Sequence, residues 1–179
     1  RLKAKIEINA TGKYVAPGFI DITNHSDTHL TMFQYPAMES MVMQGVTTVI
    51  GGNCGASLAP LVSGDAIKSI SKWADFSQIG INWTGMDEFL AAVEKMRLGV
   101  NFGTLVGYGT LRRGIIGDEM RALTLEEKEK IRLLLSRSLD QGAFGFSLGL
   151  SYGHERVSTT DELVDLASPL AGGRGVLKI

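Results

Sequence analysis

The sequence predicts an α/β protein with a parallel sheet, on three observations. Short β-branched apolar runs suit strands buried on both faces, of which Val46-Thr47-Thr48-Val49-Ile50 is the clearest. Glycine-rich polar loops follow these runs. Segments of helical periodicity separate them, long enough to bring the chain back parallel.

Composition narrows the function classes. A chain of 179 residues, 44% hydrophobic and 21% charged, can build one domain with a real core. A formal net charge of -1 and the lack of any basic run argue against nucleic acid or an anionic membrane as partner. No apolar stretch approaches the roughly 18 residues of a membrane span. Arg1-Leu2-Lys3-Ala4-Lys5-Ile6 lacks the apolar centre of a signal peptide. A single cysteine forbids an internal disulfide and points to a reducing compartment, the cytoplasm.

Residues 3–8 alternate polar and apolar and read as a half-buried strand. A turn over 9–13 leads through Tyr14-Val15-Ala16 to Pro17-Gly18 and a second strand over 19–22. If the backbone stays extended to His29, then Asp21, Thr23, His25, Asp27 and His29 share one face, four of them acid, base or metal-ligand types. The alternative is a polar loop in which Asp21 and Asp27 cap turns.

A helix is expected from about Pro36 to Gly45, with Met38, Met41 and Val42 at helical spacing as core residues. Strand 46–50 then delivers residues 51–60, GGNCGASLAP, to the carboxyl edge of the sheet, where ligand sites of α/β folds gather. Cys54 therefore reads either as a site thiol or as a buried inert one.

Residues 64–74 suit a short amphipathic helix, and Thr84-Gly85-Met86-Asp87 opens another that runs to about Leu98. Residues 100–106 suit a strand ending in a loop with Arg112 and Arg113, either of which could hold a carboxylate or stay solvated. Thr124 and Glu127 form a capping box before a helix ending at Gly142, whose apolar face is Ile131, Leu134, Leu135 and Leu139. A strand over 143–146 feeds residues 147–152; Thr159 with Glu162 caps a further helix that Pro169 stops near Ser168, and residues 175–179 begin a last strand. No repeat, linker, Gly-x-Gly-x-x-Gly or Walker pattern is present. Two architectures fit: an open doubly wound sheet or part of a (β/α)8 barrel.

Four segments carry a family resemblance. Val15-Ala16-Pro17-Gly18-Phe19-Ile20-Asp21 resembles the lead-in to the first barrel strand of the amidohydrolase superfamily. GVTTVIGGNCGASLAP, LVGYGTLRRG and GAFGFSLGLSY resemble, in the same order, the N-acyl-D-amino-acid deacylases or D-aminoacylases. The resemblance implies a zinc-dependent (β/α)8 hydrolase of N-acyl-D-amino acids, a small-molecule substrate class. Residues 1–14 would then be the remnant of a small β-sandwich domain, and residues 15–179 the amino-terminal half of the barrel, about four to five βα units, cut within strand 5.

By the same resemblance Cys54 matches a metal ligand able to bridge two metal positions. His25 matches the second histidine of a metal-binding His-x-His, and Tyr152 an aromatic residue that contacts substrate. Thr23 stands where the family has the first histidine, which implies a mononuclear site. The family's later histidines and its catalytic aspartate match nothing up to Ile179, so no catalytic residue is assigned and this portion alone is expected to be inactive. Open strand edges would favour self-association. A non-catalytic amidohydrolase fold with a decayed metal site, or a doubly wound nucleotide-binding module, are the alternatives.

Overall fold

A computed structural model describes residues 4–63, 66–67, 71 and 74–179. In chain order the elements are β1 (Phe19–Asp21), α1 (Thr31–Gln34), α2 (Glu39–Val42), β2 (Val46–Gly51), α3 (Met86–Met96), β3 (Asn101–Thr104), β4 (Val106–Gly107), α4 (Tyr108–Ile116), α5 (Leu125–Asp140), β5 (Gly145–Ser147), α6 (Gly153–Arg156), α7 (Thr160–Leu166) and β6 (Val176–Lys178).

All strand pairs are parallel, in two sheets ordered β1-β2-β3 and β4-β5-β6. Registers place Thr48 beside Asn101, Val106 beside Phe146 and Ser147 beside Lys178. Only Leu105 separates β3 from β4. Its amide donates to Gly51 O (3.1 Å), and the Phe144 amide donates to Thr104 O (2.9 Å), so backbone pairing passes from one sheet to the other. Lys178, at the end of β6, donates to Ile22 O (2.5 Å) and Thr23 Oγ1 (2.7 Å) just past β1. The outermost strands of the two sheets therefore approach each other at their carboxyl ends.

The core lies between these strands and the crossover helices. Val49, Val106 and Phe146 are fully buried with Met86 and Phe89 of α3, Leu111 of α4, and Ile131 and Leu135 of α5. Phe89 meets Phe102 edge-on at 6.1 Å and Trp83 at 5.3 Å, geometries in which ring quadrupoles attract.

The expected Thr124–Glu127 capping box opens α5: Thr124 Oγ1 accepts from the Glu127 amide (3.2 Å), and Glu127 returns to the Thr124 amide (2.8 Å). Arg121 holds the Glu127 carboxylate and lowers its pKa to about 2. Pro169 ends α7 as expected, in a 3-10 turn over Ser168–Leu170.

Several expectations are corrected. Residues 4–8 form no strand: Ile6 and Ile8 are exposed and no ladder partner stands beside them among the described residues, so alternation alone had nothing to pair with. The helix expected from Pro36 starts only at Glu39, because Met38 takes a left-handed conformation (φ 45°) that breaks the helical path. The cap of α3 is Gly85 rather than Thr84, with Glu88 accepting from the amides of Thr84 (2.7 Å) and Gly85 (3.0 Å). Tyr108 to Arg113 belong to helix α4, not to a loop. The helix expected over 64–74 falls mostly outside the described residues.

Candidate functional site

The loop over residues 51–60 is almost wholly buried, and side chains from four other segments of the chain hold it. Asp27 Oδ2, after β1, accepts from the Gly52 amide (2.7 Å). Ser147 Oγ, at the end of β5, donates to Gly52 O (2.5 Å) and accepts from the Gly55 amide (3.1 Å). Thr110 Oγ1 of α4 donates to Ser57 O (3.1 Å), and Trp83 Nε1 donates to Leu58 O (2.8 Å).

Gly52 and Gly55 adopt left-handed conformations (φ +70° and +73°). A Cβ on Gly52 would lie 2.0 Å from Leu105 O, and one on Gly55 2.0 Å from Glu155 Oε1. Both glycines are therefore required for the backbone to reach its neighbours. Between them Cys54 is itself left-handed (φ 54°), an unusual state for a residue with a Cβ, and its side chain is half-buried.

This loop aims Cys54 at His25: Sγ and Nε2 are 3.6 Å apart. Two donors bound to one tetrahedral zinc, at about 2.3 Å for sulfur and about 2.0 Å for nitrogen, stand about 3.6 Å apart. The separation also suits a thiol–imidazole hydrogen bond. Burial, followed by the positive fields of His29 and Lys178, lowers the His25 pKa against the pull of Asp21. That favours the neutral imidazole, the form that binds metals. His25, Thr28, His29, Asn53, Cys54 and Tyr152 share a cavity of about 130 Å³. A larger groove of about 560 Å³ along Met32, Tyr35, Met38, Glu39 and Met41 offers no imidazole or thiol.

The extended face expected over 21–29 does not exist. Asp21 turns back to accept from the Thr23 amide (3.0 Å) and Asn24 Nδ2 (2.8 Å), and the His29 amide donates to His25 O (3.0 Å), so the chain coils after β1. Of the five residues only His25 and the exposed His29 reach the cavity. Asp27 is fully buried behind it, with a pKa raised to about 6 by burial against the Gly52 bond.

The arginines have structural partners. Arg112 is fully buried, donating to Tyr108 OH (3.3 Å), Glu119 O (3.3 Å) and Arg121 O. Arg113 pairs with Asp118 (2.8 Å) and meets His154 Nε2 (3.2 Å).

Sequence reasoning missed Glu155, which lies beneath the site. Its Oε2 accepts from the Gly149 amide (2.6 Å), Oε1 has no hydrogen bond among the described residues but faces His154 Nε2 at 3.6 Å, and burial raises its pKa to about 7. It also missed Lys178, whose signal was one charge inside the apolar run Gly175-Val176-Leu177-Lys178-Ile179. Among the described residues, no group of three or more His, Cys, Asp or Glu is placed to hold a metal ion.

A parallel α/β sheet with a thiol and an imidazole converging at its carboxyl edge defines a protein whose ligand site is built from strand-end loops. The chain belongs to the amidohydrolase family, whose model matches residues 7–152. It is 38% identical over 174 residues to the N-acyl-D-aspartate deacylase of Alcaligenes xylosoxydans xylosoxydans, covering 95% of this chain and 33% of that protein. The N-acyl-D-glutamate deacylase of Bordetella bronchiseptica, solved with zinc and a phosphonate mimic of the tetrahedral intermediate, superposes with a TM-score of 0.76 at 34% identity. That match covers 94% of this chain and 34% of that one. D-Aminoacylase, described as having a binuclear metal centre with one-metal activation and second-metal attenuation, gives 0.74 at 30% identity, over 90% of this chain and 33% of that one. The chain thus spans about a third of the length of the curated relatives it matches. Family membership removes the doubly wound nucleotide-binding alternative. Among the described residues, no helix is long and apolar enough to cross a membrane.

Proposed function

We propose that this chain supplies part of the zinc centre of an amidohydrolase acting on N-acyl-D-amino acids, with Cys54 and His25 as metal ligands. The observation that carries this reading is the 3.6 Å approach of Cys54 Sγ to His25 Nε2 at the carboxyl ends of β1 and β2. Zinc bound there would supply polarisation of the scissile carbonyl and a lowered pKa for its water. The chain's own residues bind and orient: Cys54 as thiolate, His25 as neutral imidazole, and Tyr152 as the wall of the same cavity that faces the substrate. Catalytic zinc generally takes three protein ligands, and only two converge among the described residues. The chain alone is therefore inactive in this reading.

Residues 15–179 are read as the amino-terminal half of a (β/α)8 barrel and residues 1–14 as the remnant of a small β-sandwich. The barrel is supported by the all-parallel pairing and by the backbone hydrogen bonds of Leu105 and Phe144 that carry pairing from one sheet to the other. Exposed Phe19, Ile20, Val176 and Leu177 on the outer strands favour self-association, and the single cysteine fits a cytoplasmic setting. Thr23, already hydrogen-bonded by Lys178, favours one second reading, an amidohydrolase fold kept for binding without catalysis.

Zinc analysis after dialysis tests the first reading. Bound zinc is expected in the unsubstituted protein and absent from Cys54→Ser. Retention of zinc by Cys54→Ser would refute Cys54 as ligand, and turnover of N-acetyl-D-methionine by the chain would refute its inactivity alone.

A further inference from the structure

We propose that Asn53 is a substrate-binding residue of this site, whose side-chain oxygen accepts the amide N–H of an N-acyl amino acid and so selects secondary amides over esters. The inference rests on the substrate class proposed above and concerns a residue with no role in that reading.

Asn53 stands between Gly52 and Cys54, is fully buried, and lines the cavity that His25, Cys54 and Tyr152 share. Its carboxamide nitrogen donates to Asn24 O (2.9 Å), after β1, and to Ile50 O (2.7 Å), in β2. A carboxamide carries two N–H groups, so both are taken. The orientation is fixed as well, because turning the group over would set its own carbonyl oxygen against two others. Oδ1 is therefore held at the opposite end, where it accepts no hydrogen bond from any described residue. A buried acceptor left without a donor is costly, and protein interiors rarely leave one so.

Whatever meets this oxygen must bring a donor. A metal ion is poorly served: a neutral carboxamide oxygen suits hard cations such as calcium or magnesium, which are held chiefly through carboxylates, and among the described residues no carboxylate lines the cavity. An ester or an ionised carboxylate offers acceptors only. A secondary amide offers one N–H, and in an N-acyl amino acid that N–H belongs to the scissile bond itself. Asn53 directly precedes Cys54, so a substrate held through this N–H has its amide beside the Cys54–His25 pair. An ester in the same place would set its bridging oxygen against Oδ1 and leave both acceptors unpaired. Asn53 binds and orients in this account; it moves no proton.

The test is ligand binding to the full chain, labelled with nitrogen-15 in its asparagines and followed by NMR. N-acetyl-D-methionine is compared with its ester counterpart, in which oxygen replaces the N–H at nearly the same size. The amide is expected to bind at least about tenfold more tightly than the ester and to shift the Asn53 carboxamide resonance. Asn53→Ala, or Asn53→Leu if circular dichroism shows that the first variant does not fold, is expected to bind the two equally. If neither variant folds, the two readouts on the unsubstituted protein decide. Equal affinities in the unsubstituted protein, an Asn53 resonance unmoved at saturation with the amide, or a preference for the amide kept in a folded variant would overturn the inference and leave the substrate reading standing. Binding of neither compound would overturn both.

Discussion

Residues 51–60 and residues 4–15 make an instructive pair. Both are short, uncharged or nearly so at their centres, and rich in small and apolar residues. In the first, nine of ten residues are buried; the second is exposed almost throughout, with Ile6 at 80% and Tyr14 fully so. Hydrophobicity does not account for this, since Ile6, Ile8 and Val15 are more apolar than the glycines and asparagine of the loop. Partners do: the loop's polar groups are met by Asp27, Ser147, Thr110 and Trp83, whereas among the described residues no strand pairs with the amino-terminal segment. An alternating pattern supplies a face for burial, and the rest of the molecule must supply what covers it.

The largest effect is expected from the loop glycines. Gly52→Ala adds left-handed strain to a 2.0 Å clash with Leu105 O, which the backbone cannot swing away. It should cost roughly 2–4 kcal/mol, seen as a fall in melting temperature of roughly 5–15 °C. An unchanged melting temperature would show that the loop is less constrained than its hydrogen bonds imply.

Next is Asp27→Ala, which leaves the buried Gly52 amide without its acceptor and should cost about 1–3 kcal/mol by chemical denaturation. A smaller loss than that of a surface carboxylate such as Glu94 would contradict the clamp.

The third concerns pH. Asp27 and Glu155 have folded-state pKa values raised to about 6 and about 7, so the folded chain holds protons that the unfolded chain has released. Their contribution is full below the unfolded carboxylate values, near 4, and is lost as pH rises through 6 and 7. His25, with a lowered pKa, works the other way: stability rises with pH up to its ordinary value and changes no further above it. Stability measured from pH 5 to pH 8 should therefore decline more in the unsubstituted protein than in the Asp27→Asn/Glu155→Gln variant. Parallel curves would refute the assignment.

The smallest effect closes the comparison from the other side. Ile6→Ser should change stability by less than about 0.5 kcal/mol, as for any exposed, unpacked side chain. A loss above 1 kcal/mol would mean that the segment has a partner after all.

Much of this was legible in the residues. The β-branched run at 46–50, the Thr124–Glu127 box and the Pro169 stop are local signals, and each appears where its local chemistry puts it. Cys54 and His25 were legible as candidates, one from its place after a strand and the other through the family resemblance, and they do converge. What escaped depends on contacts distant in sequence. Asp27 looked like one more member of an extended face, but it turns inward because the Gly52 amide, 25 residues later, needs an acceptor. Arg112 looked like a carboxylate clamp at a strand end until α4 carried it into the interior, onto loop carbonyls. Lys178 gave only a charge in an apolar run, and nothing in the sequence says that it reaches Thr23, 155 residues away.

The central claim, that Cys54 and His25 hold a metal together, is tested most directly by cobalt(II) titration followed through the thiolate-to-cobalt charge-transfer band. Cys54 is the only thiol, so the band reports on it alone. A saturable band in the unsubstituted protein, abolished in Cys54→Ser and formed only at higher cobalt in His25→Ala, is the expected result. Absence of the band in the folded unsubstituted protein, or an identical titration in His25→Ala, would contradict the account.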